Sequence, residues 1–185
     1  MTLIVLGLLL WTAAHMFKRV APGARATLTE RIGDGSKGIF AVLILGSVVL
    51  LVIGYRGAET GLVYVPPAWG VHLNNPLMFF AIALFGLANS KGRARSFFRH
   101  PMLLGFATWA VAHLIVNGDT ASVVMFGGLL LWALASIVLI NMREAAWVRP
   151  APGPIMGDVR LVLITLALYA VVAGTHMWLG VWPFG

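Results

Sequence analysis

The sequence predicts an all-α fold: a polytopic integral membrane bundle of about six transmembrane helices, with both termini outside the cytoplasm. Three observations carry that expectation. Hydrophobic residues fill 60% of the 185 positions and charged residues 10%, where a soluble domain carries about a quarter charged. The apolar residues gather into runs close to the roughly 20 helical residues that cross a hydrocarbon core about 30 Å thick. Twelve of the 13 lysines and arginines lie in the connectors after the first, third and fifth runs, and Arg56 alone lies elsewhere. The positive-inside rule puts those connectors in the cytoplasm.

Taken in order, the spans are expected at about 2–19, 38–55, 74–90, 101–116, 121–142 and 159–179, forming a single transmembrane domain over 1–185. The first run lacks a leading basic residue and a small-residue cleavage site, so it reads as a retained helix ending at Lys18 and Arg19. Residues 20–36 read as a polar connector. The second run borrows flanking residues to reach the bilayer thickness and ends at Tyr55-Arg56. Residues 57–75, with Tyr64, Trp69, His72 and Pro66-Pro67, read as an interfacial loop with aromatic anchors. The third run, Pro76 to Asn89, is short and begins either there or nearer Trp69. After the basic loop Lys91–Arg99, Pro101 suits the first turn of a helix, where its missing N–H costs nothing. Asn117-Gly118-Asp119 ends that helix by turn chemistry and opens the fifth span. A third cytoplasmic connector, 143–160, carries Pro150-Ala151-Pro152-Gly153 ahead of the sixth span. No internal repeat is apparent by eye.

Composition excludes several chemistries. Without cysteine there are no disulfides, iron–sulfur clusters or thiolate nucleophiles, and a metal must rely on histidine, carboxylate or methionine. The net charge of +7 is explained by topology, which leaves the lipid bilayer and not nucleic acid as the partner. Zinc, phosphate-loop, dinucleotide and nucleophile-elbow signatures are absent. All six acidic residues fall in loops or turns, which disfavours paired intramembrane carboxylates for proton transport. Small residues such as Gly127-Gly128 offer a face for a homo-oligomer.

The five histidines carry the remaining polarity. His15 lies toward the cytoplasmic end of the first span and His100 at the cytoplasmic mouth of the fourth. His113 sits about 18 Å along its helix from Pro101, in the outer half. His176 is at a comparable level in the sixth span, and His72 lies in the outer loop. An ionisable group within hydrocarbon needs a partner and usually marks function. Trp109, His113 and Asn117, spaced by four, share one helix face. That face is either a hydrogen-bonded packing stripe or the presentation of an imidazole to a buried cofactor.

The segment RHPMLLGFATWAVAHLIVNGD followed by FGGLLLWA, with AAHMFKR at the end of the first span, closely resembles the NnrU family of bacterial membrane proteins over essentially the whole chain. The resemblance implies a multi-pass protein of the bacterial inner membrane, tied by the family's name to denitrification and nitric oxide metabolism. The family also resembles plant 15-cis-zeta-carotene isomerase, a membrane enzyme that uses haem b and acts on an apolar polyene. That likeness implies two histidine ligands, which by motif are His15 and His113. Beside them, position and charge make Trp109, Asn117, Arg99 and His100 candidates for holding the cofactor. The isomerase has a cysteine where this chain has Ala110, so a ligand switch of that kind does not carry over. Depth favours a different pairing, His113 with His176 and His15 with His100. Arg99, Lys18 and Arg19 can pair with haem propionates or serve as cytoplasmic anchors.

Two further readings stand beside this one. Arg99-His100-Pro101 followed by Gly105 is also similar to membrane methyltransferases that hold S-adenosylmethionine, with Arg143 and Glu144 as the later motif. Leu103 and Ala145 stand where that motif has a tyrosine and a second acid. A non-enzymatic accessory factor, its histidines making structural hydrogen bonds, is the third.

Overall fold

The structure is a computed structural model that describes residues 1–184. Among the described residues there are seven α-helices: α1 (Thr2–Val20), α2 (Pro22–Ile32), α3 (Gly35–Arg56), α4 (Gly70–Leu87), α5 (Pro101–Val116), α6 (Thr120–Arg143) and α7 (Ile155–Trp178), with one 3-10 turn at Ala94–Phe97. Helices α1, α3, α4, α6 and α7 are long and apolar enough to cross a membrane, and α5 is apolar over 16 residues. The polytopic helical reading therefore holds.

Two differences from the sequence reading have local causes. The stretch read as a polar connector contains α2, started by Pro22 in its first turn and built from helix formers around Arg25 and Leu28. None of its residues is buried, so it has no apolar face to announce it. Helix α4 begins at Gly70, before the expected span 74–90 and at the earlier start, near Trp69, that the sequence also allowed, and carries Pro76 inside it. Proline suggests a first turn, yet within a membrane helix the carbonyl it frees is tolerated.

The helices pack as two compact units, the first made of Met1–Tyr64 with Asp119–Glu144 and the second of Val65–Gly118 with the chain from Ala145 onward.

In the first unit α1 lies antiparallel to α3 and parallel to α6. Gly7 meets Leu51 of α3, so closely that a Cβ there would come within 2.8 Å of its Cγ. Along the parallel pair, Gly128 meets Leu8, Trp132 meets Trp11, and Glu144 reaches Arg19 at 3.4 Å. Ile4, Leu51 and Ala121 form the core at one end. Gly128 is thus used within the chain, while Gly127 has nothing within 4 Å of where a Cβ would stand. Asp119 caps α6 by accepting the Ser122 amide at 3.0 Å and the Ser122 hydroxyl at 2.5 Å. Because that hydroxyl donates to the carboxylate, Tyr55 on α3 must donate to Ser122 Oγ, 2.8 Å away. The network ties the end of α3 to the start of α6.

In the second unit α4 is the central helix, antiparallel to both α5 and α7. Gly105 lets α5 approach until a Cβ would lie 3.1 Å from the Ala81 carbonyl oxygen, the small-residue contact expected where lipid gives no hydrophobic drive to association. Asn74, buried in α4, donates to the Ala112 carbonyl at 2.9 Å. Asp158, in the first turn of α7, accepts the Arg93 and Ala94 amides at 3.0 Å each, capping the 3-10 turn.

Candidate functional site

Three imidazoles within the helices, those of His15, His113 and His176, share one arrangement. His15 Nδ1 lies 2.9 Å from the Trp11 carbonyl, His113 Nδ1 2.9 Å from the Trp109 carbonyl, and His176 Nδ1 2.8 Å from the Val172 carbonyl. A carbonyl oxygen can only accept, so Nδ1 carries the proton in each and the neutral ring keeps its lone pair on Nε2. Metal-ligating histidines commonly have this form, one ring nitrogen anchored by donation and the other directed at the metal.

His15 and His113 share more than a tautomer. Each packs its ring on the tryptophan four residues earlier, with centroids 4.1 Å apart for Trp11–His15 and 4.9 Å for Trp109–His113. Each belongs to the pattern Gly-x-x-x-Trp-x-x-Ala-His, running from Gly7 to His15 and from Gly105 to His113. A third copy, Gly128 to Ser136 on α6, ends in serine. The repeat that the eye passes over is therefore present at nine residues. In all three copies the glycine is a close-approach position, against Leu51, Ala81 and Leu8. Residues four apart share a helix face, so in each copy the glycine docks the helix and the tryptophan follows along the same side, with the histidine after it in the copies on α1 and α5.

In the first unit the copies on α1 and α6 lie side by side in register. The Trp132 ring stands edge-on to Trp11 at 5.2 Å and to His15 at 5.0 Å, so His15 contacts two indoles that also contact each other. Just beyond, Glu144 pairs with Arg19 and Arg143 donates to the Arg19 carbonyl at 3.2 Å. Arg143 and Glu144 are thereby bound to the end of α1.

In the second unit the Trp109-His113-Asn117 stripe is continuous. Asn117 donates its side-chain amide to the His113 carbonyl at 2.9 Å, and Phe106 stands edge-on to Trp109 at 5.7 Å. Asn74, which the sequence reading did not single out, fixes the backbone one residue before His113. His176, on α7, belongs to the same unit as His113. His100 is the N-cap residue of α5 and makes no side-chain cap bond. Arg99 donates to the Ala145 carbonyl at 3.0 Å. His72 is exposed on the first turn of α4.

At the loop end of the first unit, burial pushes the Asp119 carboxyl up, but donation from the Ser122 hydroxyl and from backbone amides outweighs it and holds the group below the usual aspartate range. Burial and the nearby Asp119 charge push the Tyr64 phenol up.

Among the described residues no three or more histidines, aspartates or glutamates gather to hold a bare metal ion. A porphyrin brings its own four nitrogen donors, so one or two anchored imidazoles suffice for haem. The donor chemistry of His15 and His113 fits that requirement.

A family model described as NnrU protein matches residues 3–183. The chain belongs to the NnrU family. Neither a curated protein nor a solved structure gives a match. The family match takes in both Trp-x-x-Ala-His segments of this NnrU chain, one in each packing unit, and the serine-ended copy on α6.

Proposed function

We propose that this NnrU chain binds haem b in the bacterial inner membrane and uses it on a substrate that partitions into hydrocarbon, nitric oxide or an apolar polyene. The observation that carries the reading is the recurrence of one tryptophan-backed imidazole, at His15 and His113, with Nδ1 anchored on the tryptophan's own carbonyl. Haem b would supply an iron centre that changes oxidation state, its potential tuned by the low-dielectric bundle.

His113 is the first ligand. Trp109 backs its ring, while Asn74 and Asn117 hold the backbone that carries it. His15 carries the same motif in the first unit, and His176 is the candidate second ligand within the unit of His113.

The test is the absorption spectrum of protein purified after expression with excess haem precursor, alongside His113→Ala, His15→Ala and His176→Ala. A pigmented wild type, bleached by His113→Ala and shifted by loss of the true partner, is expected. A colourless wild type would overturn the reading, whichever chemistry the family serves.

A further inference from the structure

The chain's positive charge is unevenly divided between the two units. The second unit holds six basic side chains, Lys91, Arg93, Arg95, Arg99, Arg149 and Arg160, against one carboxylate, Asp158. It therefore carries five of the seven net positive charges. That carboxylate is occupied by the Arg93 and Ala94 amides. The ion pairs among the described residues, Arg19–Glu144 and Lys37–Asp34, both belong to the first unit.

Three of the six basic groups are ordered by other means. Arg95 donates to the Phe98 carbonyl at 2.7 Å, Arg99 to that of Ala145 at 3.0 Å, and Arg149 lies 4.4 Å over the Phe97 ring. The two loops that carry them are interlocked. Gly92 packs on Asp158, and a Cβ at Gly153 or Gly157 would collide with the backbone of Lys91 and Gly92. Topology alone asks only for positive charge. Here that charge stands on a closely packed loop pair, with three of its guanidiniums held by carbonyls and a ring.

We infer that the loop end of the second unit, residues 88–100 with 145–160, is a docking surface for the headgroup of an anionic phospholipid. The place fits, because these loops directly end three apolar helices, α4, α5 and α7, and so lie at headgroup level. The chemistry fits on both sides of the interface. Arginine forks match phosphate oxygens, and Phe97, Val148 and Ile155, exposed by 65%, 86% and 62%, offer apolar contact to acyl chains beside the charges. Arg99, separated from His113 along α5, finds its anion here.

Native mass spectrometry of the full chain, released from detergent with equal phosphatidylglycerol and phosphatidylcholine, tests the inference without any variant. Retention of phosphatidylglycerol over phosphatidylcholine is expected, undiminished by millimolar inorganic phosphate. Equal retention of the two lipids, or displacement by phosphate, overturns it. The triple variant Lys91→Gln/Arg93→Gln/Arg149→Gln should lower phosphatidylglycerol affinity on the order of 100-fold, at about fivefold per basic group. The matched first-unit variant Lys18→Gln/Arg25→Gln/Arg31→Gln should leave it within a few-fold. Equal losses in the two triples would mean a diffuse attraction to the whole protein and would also overturn the inference. None of these readings depends on haem.

Discussion

Trp132 is the residue whose removal should most clearly expose how the first unit holds His15. Its side chain is 6% exposed and meets the Trp11 ring at 5.2 Å and the His15 ring at 5.0 Å, both edge-on. Apolar surface gains little by leaving lipid for a helix interface, so the contribution of Trp132 lies in ring geometry and close packing. Two aromatic contacts at about 0.5–1.5 kcal/mol each give about 1–3 kcal/mol for Trp132→Ala, and Trp132→Phe should recover part of it. The assay is a double-mutant cycle with His15→Ala, read by reversible unfolding in mixed micelles. A coupling of about 0.5–1.5 kcal/mol between the two sites is expected. If the two losses add to within about 0.3 kcal/mol, the ring contact contributes nothing specific and the two-indole contact of His15 fails as an account. Haem content supplies a second readout. It should fall in Trp132→Ala and stay level in Trp69→Ala, whose ring is 59% exposed in the second unit.

Three further outcomes follow from the packing. Replacing Asp119 by asparagine keeps a good N-cap and removes the charge. Because the native carboxyl is held below the usual aspartate value of 3.8, its stabilisation is present above that pH and is lost as pH falls through the lower native value; acid-unfolding curves of wild type and Asp119→Asn should converge there, and curves parallel from neutral pH to pH 2 would contradict it. Gly105→Leu must push α5 off the Ala81 carbonyl and should cost about 1–3 kcal/mol, whereas Gly127→Leu, with open space around it, should leave the stability of the monomer unchanged in the same unfolding assay. Asn74→Ala removes the bond to the Ala112 carbonyl and should cost about 0.6–1.7 kcal/mol, with a shift of any haem band assigned to His113; an unshifted band would show that Asn74 does not position that helix.

The fold was legible wherever sequence punctuation is strong. Pro101 and the turn at Asn117-Gly118-Asp119 bound α5 at Pro101–Val116, as expected from them. The start of α4 was less legible, since a proline inside a membrane helix reads like one at its beginning. Helix α2 was hidden because it buries nothing. The partition into two packing units has no counterpart in the sequence, because Pro66-Pro67 and Asn117-Gly118-Asp119 mark turns without saying which helices pack together.

The candidate site shows a similar division. Histidines in apolar runs stand out by cost alone, and the Trp109-His113-Asn117 face follows from spacing. The ninefold pattern was present throughout, yet its copies start 98 and 23 residues apart, so no fixed period reveals it. Its meaning emerged from packing, where the glycines proved to be contact points. The anchoring of Nδ1 depends on rotamers, and the Tyr55–Ser122–Asp119 network joins residues 67 positions apart. Neither could be read from the order of residues.

The central claim, that His113 ligates haem b, is tested most directly by a pyridine haemochrome assay on equal amounts of purified wild type and His113→Ala, both expressed with excess haem precursor and both shown to be folded by circular dichroism. The account predicts the spectrum of haem b from the wild type, near one per chain, and its loss from the variant. Equal haem in the two proteins, or none in the wild type, would contradict it.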